Sequence, residues 1–238
     1  MKSLLYAVGC MLITLGTTAQ KTINDPNAEV RAASNFHGIS ISNAFNVYLT
    51  QGSEEAVAVS AADPKYRDLI TVEVKSGILV IGLKKDGWKW IKGNKKLKAY
   101  ISFKSIDKLD LSGASDLYIQ GLIKAENLRL DLSGASNVKG KLEVKKLVVD
   151  LNGASDMTVN GSVSQLTISA SGASKFKGAD LATDYCDAHA TGASDIKVTV
   201  NKELSAQASG ASDVRYKGEG VIRDIKTSGS SSISRIKS

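Results

Sequence analysis

The sequence predicts an all-β chain wound as a parallel β-helix, a β-solenoid, and three observations carry that reading. The tripeptide Gly-Ala-Ser recurs at Gly113, Gly134, Gly153, Gly172, Gly192 and Gly210, and a degraded copy starts at Gly229. These glycines stand 21, 19, 19, 20, 18 and 19 residues apart, and a fixed period near 20 marks stacked repeats. The second observation is alternation. Leu109, Leu130, Val149, Ile168, Ala188, Ala206 and Ile225 lie four residues before the glycines, and Leu111, Leu132, Leu151, Ala170, Ala190, Ala208 and Thr227 lie two before. Polar residues such as Asp110, Asp131, Asp150, Ser169 and His189 separate the two columns, which is the period of a half-buried strand. The third is composition. Two prolines, scarce aromatics and 21 glycines suit short strands joined at glycine corners rather than helices.

One repeat is therefore strand, tight corner, second strand and return. About seven coils of roughly 19 residues are expected over residues 105–238, with like side chains stacked about 4.8 Å apart. Glycine is expected at each corner because the chain needs positive φ or a close backbone approach there. The inward columns drift from Leu132 and Leu151 to Ala170, Ala190 and Ala208. The core should narrow toward the C-terminus, or larger residues such as Phe176 should compensate.

In chain order, Met1-Lys2-Ser3 is a basic start, Leu4 to Leu15 is apolar, and Gly16 to Ala19 is a run of small residues. Residues 1–19 thus read as a secretory signal peptide cleaved after Ala19. The apolar run is too short for a membrane span of about 20 residues, and no later segment reaches that length. A lipoprotein signal at Ala7-Val8-Gly9-Cys10 is the other reading, and it would leave barely half an apolar region. Residues 20–35 are polar, contain Pro26, and read as a flexible leader. Residues 36–104 form an N-terminal β region, either a diverged start to the solenoid or its cap. Within it, 39–49 alternates, 68–74 and 78–83 make a hairpin across Lys75-Ser76-Gly77, and 98–103 is a further strand. A basic loop from Lys84 to Lys96 holds both tryptophans.

Phe36-His37-Gly38-Ile39, the run Phe45 to Gly52, Leu69 to Val74 and the Leu-Ser-Gly-Ala-Ser-Asp repeats together resemble the head GIN domain family, described as auto-transporter adhesins and common in Bacteroidetes. The resemblance covers nearly all of the chain after the signal. It implies a right-handed parallel β-helix similar to pectin lyases but without their catalytic residues, and a role in cell adhesion.

The residues themselves offer little chemistry. A lyase or glycosidase on this scaffold needs unlike groups gathered in one cleft. The candidates are two registered columns, Asp110, Asp131 and Asp150 on one face, and Asp116, Asp156, Asp195 and Asp213 past the corner. Both read as solvated faces. Ca²⁺ between coils is the sharper alternative, but Asn137 and Lys175 interrupt the second column and the calcium-binding nonapeptide pattern is absent. His37 and His189 have no metal-ligand spacing around them, so neither a metal nor any other cofactor is expected. Cys186 falls in a column of Leu128, Leu147, Leu166 and Leu204 and reads as a buried small hydrophobe.

After signal removal the chain keeps a formal charge of +6, the +7 of the whole less Lys2. Lysines of this kind serve first to keep a sheet-rich protein soluble and its edges apart. Where they bind, an exported chain meets acidic surfaces rather than nucleic acid, so a surface glycan or another anionic envelope component is the partner class expected. Trp88, Lys89, Trp90 and Lys92 are the candidate binding residues: in an extended segment both indoles would share one side, with lysines around them. Capping of the core end is the competing role. The expectation is a non-catalytic protein of the cell envelope, periplasmic or on the outer surface of a Gram-negative bacterium, acting by adhesion or binding. A purely structural envelope protein and a polysaccharide-processing enzyme are the alternatives.

Overall fold

The structure, a computed structural model, describes residues 24–90 and 96–236, with Trp88 and Trp90 described in their backbone only. The predicted signal peptide lies outside the described residues. Strands β1 (Glu29–Arg31), β2 (Gly38–Ile41), β3 (Asn46–Gln51) and β4 (Ala56–Ser60) precede a single helical turn, α1 (Pro64–Arg67). The hairpin β5 (Ile70–Lys75) and β6 (Ile78–Leu83) leads to a second helical turn, α2 (Gly87–Trp90). Then come β7 (Lys98–Phe103), β8 (Lys108–Leu111), β9 (Asp116–Leu132), β10 (Asn137–Leu151), β11 (Asp156–Ala170), β12 (Lys175–Ala190), β13 (Asp195–Gly210), β14 (Asp213–Lys217), β15 (Val221–Gly229) and β16 (Ser232–Arg235).

From β8 onward each coil pairs in parallel with the next, as the repeat predicts. Leu111, Leu132, Leu151, Ala170, Ala190, Ala208 and Thr227 are register partners in succession. All of them except Thr227 are 3% exposed or less. Burial of each large aliphatic side chain is worth about 1.5–3 kcal/mol, so every coil adds its own slice of core.

The corner explains the tripeptide. Gly153 has φ +78, and a Cβ there would stand 2.5 Å from the carbonyl oxygen of Gly134 in the coil below. That closeness lets the Ala154 N–H donate to Gly134 O at 2.8 Å, so the ladder continues through the bend. The alanine is exposed and the serine is buried. Ser136, Ser155, Ser194 and Ser212 each turn the hydroxyl back to donate to the carbonyl three residues earlier, at 2.8–3.0 Å. Small size is only part of the reason for serine: a buried hydroxyl is tolerated when hydrogen-bonded.

The thinning core is compensated. Phe176 is fully buried in the same coil as Ala188 and Ala190. A Cβ on Gly178 would lie 2.4 Å from its ring, at Cε1, so glycine two residues on clears the space that the ring fills.

The N-terminal region continues the solenoid, in an order the chain direction conceals. β2 and β3 form a coil beneath β8 and β9, with Ile41 paired to Leu111 and Asn46 to Asp116. Its corner is Asn43, φ +80, in register with Gly113. Asparagine is the non-glycine residue best suited to that conformation. The chain then travels outward. β6 pairs in parallel with β2, and β7 with β3, so residues 78–103 make the outermost coil although they follow β2 and β3 in sequence. β5 lies antiparallel to β6, and β4 and β1 extend the sheet antiparallel beyond β7. The hairpin turns at Ser76 and Gly77 with φ +50 and +75, as Lys75-Ser76-Gly77 suggests.

The expected flexible leader is corrected from residue 24 onward. Arg31 pairs with Val57 in β4, and the Asp25 carboxylate, 8% exposed, accepts from Lys98 Nζ and Tyr100 OH at 2.8 Å each. Pro26 does not prevent this, because it precedes the paired segment.

Candidate binding surface

In an ordinary coil Ser-Gly-Ala-Ser bridges the two strands, as residues 112–115 do between β8 and β9. In the outermost coil the same junction, from Leu83 to Lys98, is filled by the basic loop 84–97. Both of its ends are bonded to the neighbouring coil, the Leu97 end as an ordinary corner is. The Leu83 N–H donates to Asn43 Oδ1 at 3.1 Å, and the Asn46 N–H donates to Leu97 O at 2.9 Å. Leu97, 1% exposed, takes the place that Phe45 and the corner serines hold in other coils. The loop is thus an enlarged corner.

Its backbone is not the extended segment on which alternate residues would share a side. Gly87–Trp90 is a helical turn entered through Asp86 at φ +61, with the Gly87 N–H donating to Lys84 O at 2.8 Å. Lys89 is exposed and its Nζ lies 2.7 Å from Asp86 Oδ1. Lys84, Lys85 and Lys96 are also exposed. Lys92 and the side chains of Trp88 and Trp90 lie outside what is described. Of the four candidate residues, Lys89 alone is placed with its side chain, on solvent and next to further lysines.

Asp131 and Asp150, and the aspartates past the corner, are paired with neighbouring side chains. Arg129 bridges Asp131, at 2.8 Å, and Asp150 in the next coil. Burial raises the Asp110 carboxyl above its usual range, Asp131 nearby adds to that, and Lys108 opposes it. Past the corner, Asn137 Nδ2 donates to Asp116 at 2.7 Å, Lys177 pairs with Asp156 at 2.8 Å, and Arg215 lies 3.2 Å from both Asp195 and Asp213. Among the described residues no group of three or more His, Cys, Asp or Glu could hold a metal ion. His37 pairs with Asp107 at 3.0 Å and His189 with Asp187 at 3.1 Å, both on the surface. Burial pushes the Cys186 thiol up to about 12, with Asp187 adding to the effect, so it is no nucleophile at neutral pH.

Two arrangements were not foreseen. Tyr100, Tyr48 and Tyr118 stack across three coils with centroids 5.1 and 5.6 Å apart, and Lys139 continues the column. The signal for it, a tyrosine three residues after a corner in each of these coils, becomes visible only once Phe45, Leu97 and Ser115 are aligned. The second is an open trough of about 580 Å³ lined by Lys124, Glu126, Glu143, Lys145, Val163 and Asp184, among others. Its charges pair off as Lys124 with Glu143, Lys145 with Glu126 and Asp184 with Lys202.

Residues 35–220 match the family model described as "putative auto-transporter adhesin, head GIN domain". The chain belongs to this family. The head GIN domain match takes in every coil from the outermost one to β14. Solved structures share the fold. A putative adhesin from Bacteroides fragilis superposes with TM-score 0.81 at 22% identity, covering 88% of this chain and 96% of that one. A putative lipid binding protein from Parabacteroides distasonis gives 0.69 at 20% identity, over 90% and 98%. A putative adhesin from Parabacteroides merdae gives 0.62 at 15% identity, over 88% and 95%. No curated protein matches the chain. No helix among the described residues is long and apolar enough to cross a membrane.

Proposed function

We propose that this head GIN domain protein is exported to the cell envelope and acts without catalysis, attaching to a surface polysaccharide or another anionic envelope component. The attachment surface is the enlarged corner, with Trp88, Lys89, Trp90 and Lys92 as its contact residues. The observation that carries this reading is the replacement of a four-residue turn, needed at every other corner, by a lysine-rich loop. A longer corner is not needed to close a coil, since Asn43 closes the neighbouring one with the short turn. Indole faces and ammonium groups together suit a sugar chain bearing acid groups. Membership in an adhesin family supports the same class of function.

The test is attachment of the full chain to acidic and neutral polysaccharides and to bacterial cells. Substituting Trp88→Ala with Trp90→Ala, or Lys89→Ala with Lys92→Ala, is expected to reduce attachment to the acidic polymers and leave the thermal transition in place. Attachment that ignores both pairs of substitutions, or that is equal for neutral polymers, would refute the reading. Unfolding of the tryptophan variant alone would assign those rings to the cap of the core.

A further inference from the structure

The two ends of the solenoid are finished differently. At the outermost N-terminal coil the inward residues Leu79, Ile81, Ala99 and Ile101 are all 2% exposed or less. At the other end β15 pairs with β13 alone and β16 with β14 alone among the described residues. Members of the core columns stand open there. Ile222 follows Leu204 and Ile225 follows Ala206 in register, yet they are 44% and 38% exposed, beside Val221 at 71%. An apolar strand edge of this kind is what natural sheets cover or guard.

We propose that this end is an interface between two copies of the chain, joined tail to tail with β15 antiparallel to its counterpart across a two-fold axis at Ile225. β15 selects a second copy because it is complementary to itself. Asp224 and Lys226 flank Ile225 on the outer face and pair with each other at 2.8 Å. Reversal of the strand about Ile225 sets Asp224 opposite the partner's Lys226 and Lys226 opposite the partner's Asp224, with isoleucine against isoleucine over the open core. Edges are guarded by charge, by proline or by a bulge that twists the strand away. Between 221 and 229 there is no proline, the one register slip lies at Arg223, outside the segment 224–226, and the charges are matched, Arg223 by Glu203 at 2.9 Å and Asp224 by Lys226 at 2.8 Å. Such a contact is isologous and closes on itself, so assembly stops at two.

The experiment is the mass of the full chain, by light scattering during gel filtration over a dilution series. The unaltered chain is expected to be a dimer that dissociates on dilution. Asp224→Lys and Lys226→Asp each set like charges opposite one another twice, and each variant is expected to be monomeric where the unaltered chain is dimeric. An equimolar mixture of the two restores both matches and is expected to form a heterodimer, and D224K/K226D in one chain is expected to dimerise again. Circular dichroism verifies that the variants keep the strand signal. A chain that is monomeric at every concentration, single variants that dimerise as the unaltered chain does, or a mixture that stays monomeric would each overturn the proposal. These outcomes do not depend on the loop at the opposite end.

Discussion

At the scale of single residues, position in the coil outweighs residue type. Gly153 and Asp156 are three residues apart, but one sits at positive φ against a backbone carbonyl and the other points outward to Lys177. Gly153→Val is expected to cost about 3 kcal/mol or more, from left-handed strain and from the contact with Gly134. Asp156→Ala is expected to cost about 0.5 kcal/mol or less, since its ion pair is at the surface. Denaturant titration of both variants separates them, and equal losses would contradict this assignment of inside and outside. Asp25 makes a second residue-scale prediction. Burial alone would raise its carboxyl, but Lys98, Tyr100, Asn27 and Ser60 hold it down at about 2. Because the folded value is depressed, its contribution is present in full above the ordinary carboxylate range and is lost as pH falls from about 4 through 2. The contribution is on the order of 2 kcal/mol, so Asp25→Asn should lower the melting temperature at pH 7 and change it little at pH 2. An equal shift at both values would show that the carboxylate charge is not what anchors residues 24–31.

At the scale of elements, what could be read from the chain was whatever repeats in register. The corner glycines, the inward Leu and Ala columns, and the hairpin across Ser76-Gly77 follow from spacing and alternation alone. Asn43 escaped because another residue does glycine's work there, although Ile39, Ser40 and Ile41 align with Leu109, Asp110 and Leu111. The outermost coil escaped for a topological reason: β6 and β7 follow β3 in the chain but lie on the far side of it, and no local pattern records stacking order. The leader escaped because its anchor is a buried carboxylate meeting residues more than 70 positions away. Compensation within an element was half legible, as Phe176 could be named as filler but not Gly178 as the space it fills. Phe176→Ala is expected to cost about 3–5 kcal/mol, more than most single changes, because Ala188 and Ala190 cannot extend into the void. A loss under about 1 kcal/mol in chemical denaturation would mean that the neighbouring coils collapse onto the gap.

At the scale of the molecule, the solenoid is a stack of coils whose described Gly-Ala-Ser corners keep one size, while the outermost coil turns through a longer loop. We propose that this longer loop, residues 84–97, exists to attach the protein rather than to hold it together. The direct measurement replaces residues 84–96 with Ser-Gly-Ala and keeps Leu97, so that the outermost coil turns as the others do. Attachment to acidic polysaccharide and to cells is then compared with the unaltered chain, alongside the thermal transition of each. The transition is expected to be retained and attachment to be lost. Undiminished attachment by the short-cornered chain would contradict it.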